Sequence, residues 1–263
     1  MWLRERSPFV IASALLGALI LLFLILPVAD SIFTSAGGLY EALMSEGVRR
    51  SITTSFYAAF ITTLIALILG VPLAFILSRY EFPGKRLIDS VIDIPILIPH
   101  NAAGIALLML LGPRSPMGSL FSGVGISFTD TLFGVVAAML FVSSPFMIRS
   151  AEEAFKSIDP SLEKVARSLG ASSFQTFAHI LLPLSLRGIL TGCLLTWARA
   201  VSEFGAVVIL AYNPKTAPVY LYDVFVSEGL KSSAPINGLL IILALAVFVG
   251  LKFLAAKPTK PVY

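Results

Sequence analysis

Residues 158–183 read IDPSLEKVARSLGASSFQTFAHILLP, the longest polar and charged interval in a chain that is otherwise mostly apolar. Helix-start and helix-stop signals lie within it, but it has too few consecutive apolar residues to cross a bilayer. Asp159-Pro160 is a helix start, with an N-cap acceptor and then a proline at the first helical position, where no donor is missed. Leu162, Val165, Ala166 and Leu169 follow at i, i+3, i+4 and i+7, so they form an apolar stripe, while Glu163, Lys164 and Arg167 take the other face. Gly170 fits the position just past the helix end. Ser172 and Gln175 have capping-box spacing for a second short helix carrying Phe174, Phe177 and Ile180, and Pro183 is expected to stop it. The expectation is two short helices with a glycine elbow on one side of a membrane. Such a segment either rests on lipid or receives a soluble partner, and composition leaves both open.

Working outward, 57% of the 263 residues are hydrophobic and only 13% are charged, with a mean hydropathy of +0.92. Soluble domains carry about 25% charged residues. Several apolar runs near 20 residues make the chain an integral, all-α membrane protein. A net charge of +4 could point to nucleic acid, but the basic residues follow a membrane-topology pattern, so no nucleic-acid partner is expected. Cys193 is the only cysteine, which excludes an intramolecular disulfide and a cysteine metal cluster. His100 and His179 are the only histidines and lie far apart in sequence, so no metal site is expected.

Six spans are expected, at residues 9–28, 52–77, 92–111, 131–148, 184–211 and 235–256, within one transmembrane domain covering 1–263. The first is longer than a signal-peptide core and lacks a small-residue cleavage site, so it reads as an uncleaved span. Pro72 is expected to kink the second span. The third is irregular, because Pro95 and Pro99 each remove a backbone donor. Residues 112–130 and 212–234 read as loops. Six spans put both termini on one side. Thirteen of the 19 Lys and Arg residues fall there, among them Arg4, Arg6, Arg79, Arg149, Lys164, Arg167, Lys257 and Lys260. Five fall on the other side (Arg49, Arg50, Arg114, Lys215 and Lys231), and Arg199 lies within the membrane. The excess of positive charge marks the cytoplasm, so both termini and the polar segment 149–183 are expected there. No internal repeat is visible, which argues against transporters built from inverted repeats.

Gly170, nine residues, then Ile180-Leu-Leu-Pro183 resembles the G-x9-I-x-L-P end of the EAA loop of ABC-importer permeases. Upstream, only Ala166 matches the three residues that name that loop. Lys164 and Val165 replace the first two, and Glu163 offers an acidic group one residue early. Trp197-Ala-Arg-Ala-Val-Ser-Glu-Phe-Gly-Ala206 is similar to the A-R-x-x-x-E-F-G-A sequence of molybdate and sulfate permeases. Asp93-Ile-Pro-Ile-Leu-Ile-Pro-His-Asn-Ala-Ala-Gly104 is similar to their proline-containing third helix. The resemblance covers nearly the whole chain and is nearest to archaeal molybdate/tungstate permeases. It implies the type I ABC importer permease fold and a homodimer with a second copy. It also implies two separate ABC ATPase subunits, an extracytoplasmic oxyanion-binding protein, and a setting in the lipid bilayer of the cell membrane. Ser161, Leu162, Glu163, Ala166, Arg167, Leu169 and Gly170 are then the residues that couple to the ATPase. The chain contains no G-x-x-x-x-G-K-[ST] phosphate loop, so ATP and Mg belong to the partner ATPase and the chain is not itself an enzyme. Sulfate or thiosulfate is the alternative cargo. An ATP-independent secondary anion transporter is the rival class, against which the loop spacing and the few intramembrane charges count.

Arg199 and Glu203 are four residues apart, on one helical face, and can pair. Charges inside a membrane are costly and mark function by default, here gating or dimer packing, the alternative being a structural ion pair. The resemblance places Ser202, Glu203, Phe204, Gly205 and Ala206 at the gate. Pro95, Pro99, Asn101 and Gly104 either line a cavity or make a packing kink. His100 reads as a buried or interfacial hydrogen-bonding residue.

Overall fold

A computed structural model describes residues 8–255, with side chains over 8–250. The expected basic residues Arg4, Arg6, Lys252, Lys257 and Lys260 lie outside these side-chain limits. Every regular element among the described residues is helical, because the apolar runs satisfy their backbone hydrogen bonds internally. In chain order the helices are α1 (Pro8–Ser35), α2 (Leu39–Met44), α3 (Glu46–Arg79), α4 (Lys85–Leu97), α5 (His100–Leu111), α6 (Pro116–Ser122) and α7 (Leu132–Lys156). They continue as α8 (Pro160–Ser168), α9 (Ser173–Thr176), α10 (Leu182–Val201), α11 (Gly205–Leu210), α12 (Ala217–Glu228) and α13 (Leu230–Ala255). Among the described residues, five helical stretches are long and apolar enough to cross a membrane, or six if α4 and α5, bent by 114° at their junction, count as one span.

The chain divides into two compact units, residues 1–49 with 221–263, and residues 50–220. In the first unit, α1 packs on α13. Ser35 Oγ donates to the Ala234 carbonyl at 2.6 Å and Asn237 Nδ2 donates to Ser31 Oγ at 2.8 Å. Most of α1 is bare of protein contact: Leu15, Leu16, Leu19 and Phe23 are all exposed, an apolar surface suited to lipid.

In the second unit, one core gathers small residues of α3, α5, α7 and α11, including Ala58, Ala59, Ala103, Ala138 and Ala206 around Met139 and Leu210. Small side chains let helix backbones approach closely where no hydrophobic force separates protein from lipid. A second core joins α3, α7 and α10 around Leu77, Met147, Phe155 and Leu181. Phe75 meets Phe155 and Phe177 edge-on at ring distances of 5.9 and 5.0 Å. Gly188 lets α10 lie against Ala154 of α7, since a Cβ at Gly188 would collide with that of Ala154.

Several sequence expectations are corrected. The span expected at 184–211 ends at Val201, and its remainder is the separate α11. The helix of the fourth span runs on past residue 148 to Lys156, so Arg149 stands on the last turns of α7. Both expected loops contain helices, α6 and α12. Pro183 stops nothing. Residues Phe177–Leu181 form a π-helical turn, in which Leu182 N–H reaches back to the Phe177 carbonyl, and this turn carries α9 into α10. Wider i→i+5 pairing accommodates the donor that proline lacks.

Candidate functional site

The polar segment folds as its capping signals require. Asp159 accepts the Ser161 N–H at 2.8 Å at the start of α8, and this bond holds its carboxyl below the usual carboxylate range. Gly170 has φ +90°, a left-handed conformation that spares a side chain, and it closes α8 with Gly170 and Ala171 N–H groups donating to the Arg167 and Ala166 carbonyls. Ser172 and Gln175 complete the reciprocal capping box of α9.

The faces of α8 are sharply divided. Ala166 is buried, while Ser161, Leu162, Lys164, Val165, Arg167 and Leu169 are exposed. Leu169 is 83% exposed and Phe174, across the elbow, 76%. Glu163 turns inward: Arg79 Nε at the end of α3 meets its Oε1 at 2.5 Å, and Arg79 Nη2 donates to the Ile158 carbonyl at 3.1 Å. One arginine thus ties α3 to both sides of the α8 start.

Higher in the same unit, two helix breaks meet. The α4–α5 bend falls at Ile98 and Pro99, and the α10–α11 break at residues 202–204. Close approach is forced by glycines on both partners. A Cβ on Gly205 would lie 2.6 Å from His100 Cβ and 2.7 Å from Asn101 Oδ1. One on Gly104 would lie 2.9 Å from the Ala206 carbonyl oxygen and from Ile209 Cβ. The polar groups freed by the breaks are satisfied there. Glu203, 1% exposed, accepts the Ala206 N–H at 2.8 Å through Oε1 and Arg199 Nη2 at 2.6 Å through Oε2. Arg199 Nη2 also lies 2.7 and 3.1 Å from Nδ1 and Nε2 of His100. A guanidinium only donates, so the nearer nitrogen, Nδ1, is the acceptor while the ring is neutral. That Nδ1 is 3.0 Å from Glu203 Oε2, where a charged imidazolium would donate instead. His100 is 40% exposed, so one edge of this closed triad is open.

The structure therefore brings His100, Asn101 and Gly104 of α5 to Arg199, Glu203 and Gly205. Pro99 is exposed at the break, and Phe204 is half-buried beside the triad. Ser202 is exposed, its hydroxyl donating to the Arg199 carbonyl at 3.1 Å. Pro95 is not at the junction: it is buried inside α4, about a turn before the bend. Sequence reasoning missed a third charged group. Arg149 on α7 binds Asp89 and Asp93 on α4 and Glu152 on its own helix, and Lys156 Nζ reaches Glu152 at 2.7 Å. The available signal was Asp89 and Asp93 at i, i+4, two carboxylates one turn apart that call for a cation.

Residues 70–256 match the family described as the inner membrane component of binding-protein-dependent transport systems. Over 256 residues the chain is 40% identical to the molybdate/tungstate transport system permease protein WtpB of Pyrococcus furiosus, covering 96% of this chain and 98% of that one. It is 33% identical over 239 residues to a probable sulfate transport system permease protein, cysT, of Chlorokybus atmophyticus, covering 88% of this chain and 84% of the relative. The backbone matches the crystal structure of a bacterial alginate ABC transporter, in complex with a periplasmic protein bound to alginate pentasaccharide. The TM-score is 0.76 at 16% identity, over 97% of this chain and 96% of the matched one, which is a likeness of fold. The broken spans and the helical segment before α10 are thus those of a transport permease, and the chain belongs to the family of binding-protein-dependent transport system inner membrane components, as a permease subunit of an ABC importer.

Proposed function

We propose that this subunit forms, as a homodimer, the path by which molybdate or tungstate crosses the cell membrane. Two separate ABC ATPase subunits bind ATP and Mg and drive it, and an extracytoplasmic binding protein delivers the oxyanion. Both termini and residues 149–183 lie in the cytoplasm. The observation that carries this reading is α8: a short helix between spans that holds Leu162, Val165 and Leu169 outward from an otherwise polar segment. Apolar side chains exposed on a capped helix with a rigid elbow suit docking into a groove of another protein.

ATP binding draws the ATPases together, and the α8 helices follow. Their motion passes through Arg79 to α3 and through the π-helical turn to α10, whose far end carries Arg199 and Glu203. At 1.5 Å per residue, Arg199 stands about 25 Å along α10, most of a hydrocarbon core away from α8. The α5–α11 junction is the gate. Its triad keeps an ion pair closed on itself, so a dianion passing Arg199 meets a guanidinium already neutralised by Glu203. A path without a tight site releases its cargo readily.

Molybdate/tungstate is favoured over sulfate by the higher identity to the relative that carries that name. The test is uptake of radiolabelled molybdate, tungstate and sulfate into proteoliposomes holding the permease–ATPase complex, with binding protein and ATP supplied. Molybdate and tungstate should enter only with ATP, and Gly170→Val should abolish uptake, since a β-branched residue at φ +90° breaks the elbow. Uptake without ATP, or a Gly170→Val complex working at full rate, defeats the coupling role.

A further inference from the structure

The charge on the docking helix identifies the chemistry of the groove that receives it. Of the carboxylates in and beside α8, Glu163 is turned inward and paired with Arg79, while Asp159 accepts the Ser161 N–H as the cap and keeps its charge at the exposed helix start, near Lys164. The exposed cations are Lys164 and Arg167, for which no ion pair forms among the described residues. At 100° per residue the exposed arc of α8 has a fixed order. Leu169, Leu162 and Val165 form one edge, Ser161 and Ser168 the middle, and Lys164 and Arg167 the other edge. The inward face, with Ala166 and Glu163, closes the circle.

We propose that the ATPase groove which receives α8 is two-walled, with an apolar wall against Leu162, Val165 and Leu169 and a carboxylate-bearing wall against Lys164 and Arg167. Glu163 is a positioning residue: it fixes the rotation of α8 through Arg79 and does not touch the partner. This rests on the reading of α8 as the docking helix. The physical reason is complementarity. A basic wall opposite Lys164 and Arg167 would set like charges together as water leaves the groove, whereas carboxylates there speed encounter and fix the helix register. The apolar edge supplies contact area but cannot choose between the two directions in which a short helix could lie. The single basic edge can.

The test measures binding of the full-length permease, in detergent, to the purified ABC ATPase subunit from the same organism, between low and high salt. Both cations are exposed, so the double variant Lys164→Glu/Arg167→Glu retains the fold. It should bind about tenfold or more weakly at low salt. Wild-type affinity should fall as salt rises, while that of the double variant should not. Glu163→Gln should leave the salt dependence intact and lower the coupling of ATP hydrolysis to uptake. Leu169→Asp separates the two levels of the argument. If Leu169→Asp abolishes binding while the double charge reversal binds as well as or better than wild type, the acidic wall is wrong and the docking helix stands. If Leu169→Asp binds normally, the docking reading falls and takes the proposal with it.

Discussion

Arg149 on α7 holds Asp93 on α4 at two points, Nε to Oδ1 and Nη2 to Oδ2, each at 2.9 Å. The same guanidinium donates to the Asp89 carbonyl oxygen at 2.7 Å and carboxylate at 3.0 Å, and to Glu152 at 2.6 Å. All five donors of one side chain can thus be used to fix the start of the bent span on its neighbour. Three carboxylates around one arginine and one lysine are tolerable only while the cations stay.

Arg149→Met should therefore destabilise the subunit by on the order of 2–3 kcal/mol, less than for a fully buried charge because the cluster is partly open to solvent. A thermal melt of the purified protein in detergent reads it. Arg149→Lys should recover only part of the loss, since an ammonium cannot make the two-point contact. A melting temperature unchanged in Arg149→Met would show that the clasp does not hold α4.

Glu203 serves two donors at once, the Ala206 N–H that opens α11 and the Arg199 guanidinium. Glu203→Ala leaves the Ala206 N–H unpaired and Arg199 without its counter-charge, with His100 as its remaining partner, and should cost about 3 kcal/mol. Arg199→Met/Glu203→Met should be milder than Glu203→Ala alone, because no lone charge remains. A double-mutant cycle gives the coupling; strict additivity would mean that the two groups act independently.

The contact between α5 and α11 depends on missing side chains. Gly205→Ala sets a methyl group about 2.6 Å from His100 Cβ, and Gly104→Ala sets one about 2.9 Å from the Ala206 carbonyl, both too close. Each should cost about 1–3 kcal/mol and push the two breaks apart. Lower uptake with normal ATPase binding is the expected pair of readouts. Weakened ATPase binding would mean that the damage spreads to α8.

Acid should loosen the α8 start. The Asp159 carboxyl is held below its ordinary range by the Ser161 N–H, so its contribution is present above the unfolded carboxylate range. It is lost as pH falls through the lower, folded value. Asp159→Asn keeps the capping oxygen and should remove this acid sensitivity, measurable as permease–ATPase association between neutral and acid pH. An unchanged acid profile in Asp159→Asn would assign the sensitivity elsewhere.

Much of the architecture is written locally and can be read locally. The apolar runs specify spans because a membrane admits no unsatisfied backbone. Asp159-Pro160, Gly170 and the Ser172/Gln175 pair specify α8, the elbow and α9 because each acts within a few residues of itself. Arg199 and Glu203 announce their pairing by a spacing of four. The break that turns the residue 202–204 stretch out of its helix has no comparable signal. Ser202-Glu-Phe could continue a helix as well as end one, and it ends because Glu203 caps α11 while Gly205 is pressed against His100.

The sequence by itself determined an all-α membrane chain with a capped two-helix segment before α10, because hydrophobic runs and capping are properties of contiguous chain, and its motifs carried the resemblance to ABC-importer permeases. Only the tertiary structure decided which charges meet. His100 joins a pair 99 residues away, Arg149 reaches 56 residues to Asp93, and Arg79 takes Glu163 out of the exposed face of α8. Such pairings depend on which helix faces are turned together by packing. For α8 this changes the reading most: a segment with acidic and basic residues in sequence turns Glu163 inward and keeps Lys164 and Arg167 exposed on one edge, opposite Leu162, Val165 and Leu169.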